Sequence, residues 1–240
     1  MAANLKISMA GIGRECTEGD IYTACLPLRG ARILELGCGG AEHTRAIAAR
    51  DAAIEVTAFE VDEVQHEKNL AAPAVPNVVF RTGGAESIPE ADASFDIVMM
   101  FKSLHHVPGD FLTDAMGEIH RVLKPGGLAY LSEPVFDGEF NDILRMFHDE
   151  EQVRRAAFEA ICAAVDQGLF ELVRQEFFLA PVQFADFADF ESKLLNATHT
   201  DHRLSAETYA TVRKRIEAAA GSDGIRFRAP MRVDLLRKTV

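Results

Sequence analysis

The chain lacks the features that mark several protein classes. Its four cysteines, Cys16, Cys25, Cys38 and Cys162, form no Cys-x-x-Cys pair. A disulfide framework or a zinc ribbon is therefore not expected, and four reduced thiols in a cytoplasmic protein are. No apolar stretch approaches the ~20 residues of a membrane-spanning helix, so no membrane partner is expected. The first residues lack a basic segment followed by an apolar core, so no secretory signal is expected. Positive charge is scarce: 25 Lys and Arg face 37 Asp and Glu, a net charge of −12, with no local basic run. Such a surface does not grip nucleic acid through its phosphates. Internal repeats and low-complexity linkers are missing too, and 240 residues suffice for one sizeable domain.

One stretch organises what is present: Ile33-Leu34-Glu35-Leu36-Gly37-Cys38-Gly39-Gly40-Ala41. An apolar run carrying one acid ends in glycines, and a helical pattern follows. The spacing predicts a buried strand over Ala31 to Leu36, a tight turn over Gly37 to Gly40 and a helix over Ala41 to Arg50. Glycine belongs where φ is positive or where a ligand lies against the main chain. Strand, glycine turn and helix make the first unit of a nucleotide-binding α/β fold. Two ligands are disfavoured at once. The sixth place of the dinucleotide fingerprint is Glu42 rather than glycine, and its carboxylate would repel a pyrophosphate. No Gly-Lys-Ser/Thr follows either, which excludes a phosphate-binding P-loop.

The surviving Glu-Leu-Gly-Cys-Gly-Gly pattern resembles the first motif of class I S-adenosylmethionine-dependent methyltransferases. Their ligand carries a cationic sulfonium and no phosphate, so an acidic turn suits it. Further along, Ile54 to Glu60 reads as the second strand. Glu60 lies 23 positions past Gly37, near the offset at which an acid accepts ribose hydroxyls; Asp62 is the rival, read instead as the cap of a helix from Glu63. After a third strand over Asn77 to Arg81 comes Gly83-Gly84-Ala85-Glu86-Ser87-Ile88-Pro89. It is similar to the Gly-Asp-Ala-Glu-x-Leu-Pro stretch of quinone-methyltransferase-like enzymes, with Gly84 in place of the aspartate that holds adenine. The resemblance implies a backbone contact to adenine at Ala85, and Glu86 is the nearest substitute for the missing carboxylate.

Ser94 to Phe101 reads as the fourth strand, followed by Lys102-Ser103-Leu104-His105-His106-Val107, again family-like. Carboxyl ends of central strands face the ligand crevice in such sheets. His105 and His106 are therefore the candidate general bases, and a packing role for the pair is the rival reading. Lys102 is a candidate contact to an anionic acceptor. Asp110 to Leu123 is expected to be helical, ended by Lys124-Pro125-Gly126-Gly127, with a fifth strand over Leu128 to Glu133. The motifs imply cofactor contacts at Glu35, Gly37, Gly39, Glu60, Val61, Ala85, Glu86 and Phe101. Tyr22, Lys102 and His148 are the substrate-side candidates.

The resemblance covers about residues 28 to 135. Beyond it, Gly138 to Gln167 is expected to be helical with a break near Asp149, Leu169 to Ala180 a sixth strand, Phe184 to Leu194 a helix, and Ile225 to Arg237 the closing strand. Ser205 is expected to cap one more helix. Eleven of the sixteen phenylalanines follow position 135, which reads first as core packing. His199, Asp201 and His202 are read as a polar turn, and no metal is expected. The whole predicts a Rossmann-like seven-stranded, mostly parallel sheet with helices on both faces and an antiparallel last strand. Residues 1–240 are expected to form one domain: a lid over 1–30, a cofactor-binding core over 31–134, a substrate-side elaboration over 135–224 and the closing strand over 225–240. The resemblance implies transfer of a methyl group from S-adenosyl-L-methionine to a small-molecule N, O, S or C nucleophile. A cofactor-binding protein without methyl transfer and a nucleotide-dependent oxidoreductase are the alternatives. The sequence names neither the acceptor nor the oligomeric state.

Overall fold

The computed structural model describes residues 5–195 and 204–239. Its helices are α1 (Glu18–Cys25), α2 (Glu42–Ala48), α3 (Glu63–Ala71), α4 (Leu112–Val122), α5 (Glu139–Leu144), α6 (Glu151–Asp166), α7 (Phe187–Phe190) and α8 (Ala206–Ala218). The strands are β1 (Arg32–Leu36), β2 (Glu55–Glu60), β3 (Val78–Thr82), β4 (Phe95–Phe101), β5 (Leu123–Pro134), β6 (Phe170–Phe184), the two-residue β7 (Ala220–Gly221) and β8 (Gly224–Lys238).

Seven strands follow one path, β3-β2-β1-β4-β5-β8-β6, and β7 pairs with β8 off that path. The pairings from β3 through β5 are parallel, and β8 runs antiparallel to both of its neighbours. The expected architecture is the observed one, with the short β7 added. Alternation along the central strands explains the layers. Leu34, Leu36, Val98, Met100 and Leu131 join a core with Ala115 and Ile119 of α4 and Ile161 of α6. Ile33, Val56, Ile97 and Met99 point the other way, onto Ile21 of α1 and Ile47 of α2. A third cluster lies at the far end of the β6–β8 ribbon, where Phe184, Ile225 and Phe227 pack with Phe187, Phe190 and Val212. Six of the late phenylalanines, with Phe140 and Phe147 at its margin, fill this cluster, so the packing reading holds for them.

Several boundaries differ from the expectation. Lys124 to Gly127 does not separate a helix from a strand. The ladder already starts at Leu123 and shifts register between Phe95 and Ile97, so these residues form a bulge inside β5. Gly126 supplies the positive φ of 74° there. The helix expected over Asp110 to Leu123 begins at Leu112, after a 3₁₀ turn at Gly109–Phe111. The sixth strand runs on to Phe184, so that residue belongs to the ribbon and not to the helix after it. The break near Asp149 is present, between α5 and α6. Ser205 caps α8 and Asp62 caps α3 through main-chain N–H groups, as expected. His199, Asp201 and His202 lie outside the described residues.

One polar pair is sealed in the second half of the sheet. Arg232 and Asp234 on β8 are 2% and 0% exposed as side chains, with Nε donating to Oδ2 at 2.7 Å. Gln175 Nε2 donates to Asp234 Oδ1 at 2.7 Å, and the Arg232 guanidinium lies 4.5 Å from the Phe158 ring centroid. Burial pushes the Asp234 carboxyl upward even with Arg232 drawing it down, so desolvation outweighs attraction. We predict that Asp234→Ala lowers unfolding stability by about 3–5 kcal/mol, because it strands a buried cation. The double variant Arg232→Met/Asp234→Leu should regain most of that loss in urea unfolding. A double variant as unstable as the single one contradicts this account.

Candidate functional site

The carboxyl ends of β1, β2, β4 and β5 meet the first residues of α2 and the loop after β4, and the sequence-predicted residues gather there. Gly37 and Gly39 have φ of 71° and 50°, and Ala41 follows at 59°. The N–H groups of Gly37 and Cys38 both donate to the Phe59 carbonyl at 2.9 Å. The two glycines serve different needs. A Cβ on Gly37 would sit 2.7 Å from Ser103 Cβ, whereas one on Gly39 would meet nothing within 4 Å. Gly37 is thus required by packing between β1 and the β4 loop. At Gly39 the bare main chain faces open space.

Glu60 sits beneath this turn at the end of β2, 7% exposed. Its Oε2 accepts the Gly39 N–H at 2.7 Å, and its Oε1 accepts from Val61 and Asp62 at 2.9 and 3.0 Å. A carboxylate has about four acceptor positions, so three main-chain donors leave room for little more without rearrangement. Val61 beside it is exposed. Glu35 is buried and accepts from Thr44 Oγ1 at 2.6 Å. Burial pushes its carboxyl up to about 7, opposed by the Thr44 bond and assisted by the neighbouring Glu60 charge. The turn therefore rests on two acids, a setting that repels phosphate and suits a cationic ligand.

Ala85 is buried at the next strand end, and Glu86 folds back over Gly84. Its carboxylate fills the space that a Cβ on Gly84 would take. A carboxyl group thus stands against position 84 although residue 84 has no side chain.

Phe101 ends β4 and stacks on His43 of α2, with centroids 4.2 Å apart. Tyr22 is 3% exposed and meets His43, Phe101 and Tyr130 edge-on at 6.0–6.5 Å. That burial makes Tyr22 a packing residue of α1 in this structure. Lys102 is exposed, at φ 55°. Ser103 Oγ donates to the Leu36 carbonyl at 2.8 Å, joining this loop to the glycine turn.

His105 is likewise buried. Its ring is 3% exposed; Nδ1–H donates to Glu133 Oε2, and Nε2 lies 3.6 Å from Glu150 Oε1. Burial works against its charge, but Glu133 and Glu150 outweigh it and hold the imidazole up at about 9. A ring sealed from solvent and oriented by Glu133 fits the packing reading of the pair better than the general-base reading. His106 is exposed, its centroid 4.1 Å from that of His105. Partial desolvation and the neighbouring His105 push its imidazole below the ordinary value. His148 Nε2 lies 2.8 Å from Glu150 Oε1, at the other side of the same carboxylate.

Sequence reasoning missed Glu18, His43, Glu133 and Glu150. His43 and Glu133 were findable, since each sits at an element end that this fold turns toward the crevice. Glu18 accepts from Tyr130 at 2.5 Å and Ser132 at 2.9 Å, anchoring α1 onto β5. Neither it nor Glu150 belongs to a motif; only the fold brings them in.

Comparison with known proteins agrees with this geometry. Residues 33–127 match a family described as "Methyltransferase domain". The chain is 36% identical over 120 residues, 48% of its length, to 27-O-demethylrifamycin SV methyltransferase of Amycolatopsis mediterranei. It is 34% identical over 107 residues to demethylmenaquinone methyltransferase of Chlorobaculum parvum. The matched stretches span 43% and 42% of those two relatives. Among solved structures, a putative methyltransferase from Bacillus halodurans superposes with a TM-score of 0.63 at 20% identity, covering 92% of this chain and 97% of the other. The cyclase SpnF superposes at 0.61 and 22% identity, covering 92% and 79%. At such identities these structures establish the fold.

The buried acid beneath the turn generates a test. Between about pH 4.5 and 7 the folded chain keeps the Glu35 proton that the unfolded chain has released. Stability is therefore lost as pH rises through that window, and the loss is level above it. Relative to wild type, Glu35→Gln should gain about 2–3 kcal/mol of unfolding stability between pH 4 and pH 8. A difference that does not change with pH would mean that Glu35 titrates normally.

Proposed function

We propose that this chain, whose residues 33–127 match a methyltransferase domain, is a class I methyltransferase that moves a methyl group from S-adenosylmethionine to a nucleophilic N, O, S or C atom of a small molecule. The observation that carries the reading is the glycine turn: open main chain at Gly39, buried acids Glu35 and Glu60 beneath it, and Glu42 where a dinucleotide would need glycine. When bound, the cofactor supplies a methyl group on a sulfonium, a leaving group that is already activated.

The chain's own residues then bind and orient. Gly37 to Gly39 would hold the methionyl part, and Glu35 beneath the turn would favour a cation there. Glu60 takes the ribose hydroxyls in competition with the Gly39 N–H that it now accepts. Ala85 offers its N–H to adenine, and Glu86 stands in for the side chain that Gly84 lacks; Val61 and Phe101 border the nucleoside. Holding nucleophile and methyl in line is worth ~7–11 kcal/mol, enough to dispense with a strong base for many acceptors. Of the two histidines, His106 is the one suited to accept a proton. Lys102 and His148 border the acceptor side, and the described part of the N-terminal segment, residues 5–30, covers it.

The relatives' names include small-molecule methyltransferases, which favours a small acceptor here. Four free cysteines fit a reducing compartment such as the cytoplasm. SpnF, a cyclase by name, shows that this fold also serves other chemistry, so turnover has to be measured as well as binding.

Two variants test the cofactor site by calorimetry with S-adenosylhomocysteine. Gly39→Ala should keep the fold, since Ala41 already holds a left-handed φ of 59°, yet its methyl should weaken binding at least tenfold, about 1.4 kcal/mol. Unchanged affinity removes the turn from the site. Glu60→Ala should also weaken binding at least tenfold, while Asp62→Ala should cost only the α3 cap, about 1 kcal/mol of stability. The reverse pattern would hand the ribose to Asp62.

A further inference from the structure

Methyl transfer leaves unexplained why two adjacent histidines and two glutamates converge after β4. The His105 side chain and Glu133 are sealed from solvent, and Glu150 is nearly so. One ring nitrogen each of His105 and His106 and one carboxylate oxygen of Glu150 all lie within 4.8 Å of one another. Nothing in the cofactor reading uses Glu150, which comes from the loop before α6.

We propose that His105, His106 and Glu150 bind one divalent transition-metal ion beside the acceptor position. The donor set is the first support. Two imidazoles and a carboxylate leave coordination positions open, as zinc, iron(II) and cobalt(II) sites in catalysts do. The outer partners are the second. A metal-bound histidine characteristically donates its other N–H to a carboxylate, which fixes tautomer and ring orientation. His105 does this to Glu133, whose second oxygen is itself held by the Leu104 N–H at 3.0 Å. Glu150 is oriented in the same manner: Arg154 donates to Oε2 at 2.6 and 3.1 Å, and Oε1 faces the histidines. The Arg154 guanidinium is in turn held by Asn141 Oδ1 at 2.9 Å.

Charge is the third support. A dication placed here is balanced by the two carboxylates of Glu133 and Glu150 that already face the His105 ring. Ligation at ~2.0–2.2 Å needs donor atoms closer than they stand; the exposed His106 can make that approach, and Glu150 Oε1 would exchange its His148 contact for the ion.

The role of the ion rests on the methyl-transfer reading, although the site does not. His105 and His106 follow β4 and Glu150 precedes α6, on the side of the crevice where the proposed reaction would place the acceptor. There the ion polarises an acceptor oxygen, whose proton leaves to solvent, so no side-chain base is required. The class of acceptor implied is one with a hydroxyl, enol or phenol oxygen.

The test uses the full chain, stripped with a chelator and titrated with cobalt(II) alone. One equivalent should bind, with a visible ligand-field band from nitrogen and oxygen donors. Both His106→Ala and Glu150→Gln should weaken cobalt(II) binding at least tenfold, and S-adenosylhomocysteine affinity should stay within twofold. His106 is exposed, so its variant remains informative if Glu150→Gln, which releases Arg154, unfolds. No stoichiometric band, or a band indifferent to His106→Ala, overturns the metal site. Loss of S-adenosylhomocysteine binding by wild type would instead overturn the cofactor reading and leave the cobalt(II) result standing.

Discussion

The carboxylate of Glu60 accepts main-chain N–H groups on both sides of the crevice floor, from Gly39 in the turn after β1 and from Val61 and Asp62 after β2. Turn geometry alone would leave the half-buried Gly39 N–H without a protein partner. Glu60 therefore fixes where β1 ends, how α2 begins and which atoms face outward. A side chain of any other charge or length would satisfy fewer of these donors. The same carboxylate is best placed to meet a ribose, so support and recognition are combined in one group, and a ligand at Glu60 necessarily acts on the turn.

A second polar assembly fixes the opposite side of the crevice. Glu133 at the end of β5, His105 in the loop after β4 and Glu150 before α6 form a chain of charge-assisted contacts, extended by Arg154 to Asn141 of α5. Three segments far apart in sequence are thereby tied at one point. Burial makes each charge expensive singly, and pairing makes the set tenable. This explains why the surroundings of His105 hold its imidazole above the ordinary value, and the same arrangement is the geometry on which the proposed cation site rests.

The first five strands were legible because each is a short apolar run whose end is marked by glycine, acid or histidine. Asp62 and Ser205 were legible as caps because their side chains answer a local need. The bulge at Lys124 to Gly127 was not, since Pro-Gly-Gly serves a helix stop or a bulge equally well and only pairing with β4 decides. The role of Tyr22 was not legible, because an aromatic in an amphipathic helix reads the same whether it lines a pocket or packs beneath one. The role of His105 was left between base and packing for a similar reason: its surroundings are set by Glu133 and Glu150, 28 and 45 positions away. Residue type indicated the right neighbourhood, and contacts across the fold assigned the roles.

A crystal structure with S-adenosylhomocysteine tests the central claim most directly. The account predicts the homocysteine along Gly37 to Gly39, the ribose hydroxyls on the Glu60 carboxylate, and the sulfur facing the loop that carries His106. A nucleoside bound away from Glu60, or a turn left in its present hydrogen bonds with the ligand elsewhere, would contradict it.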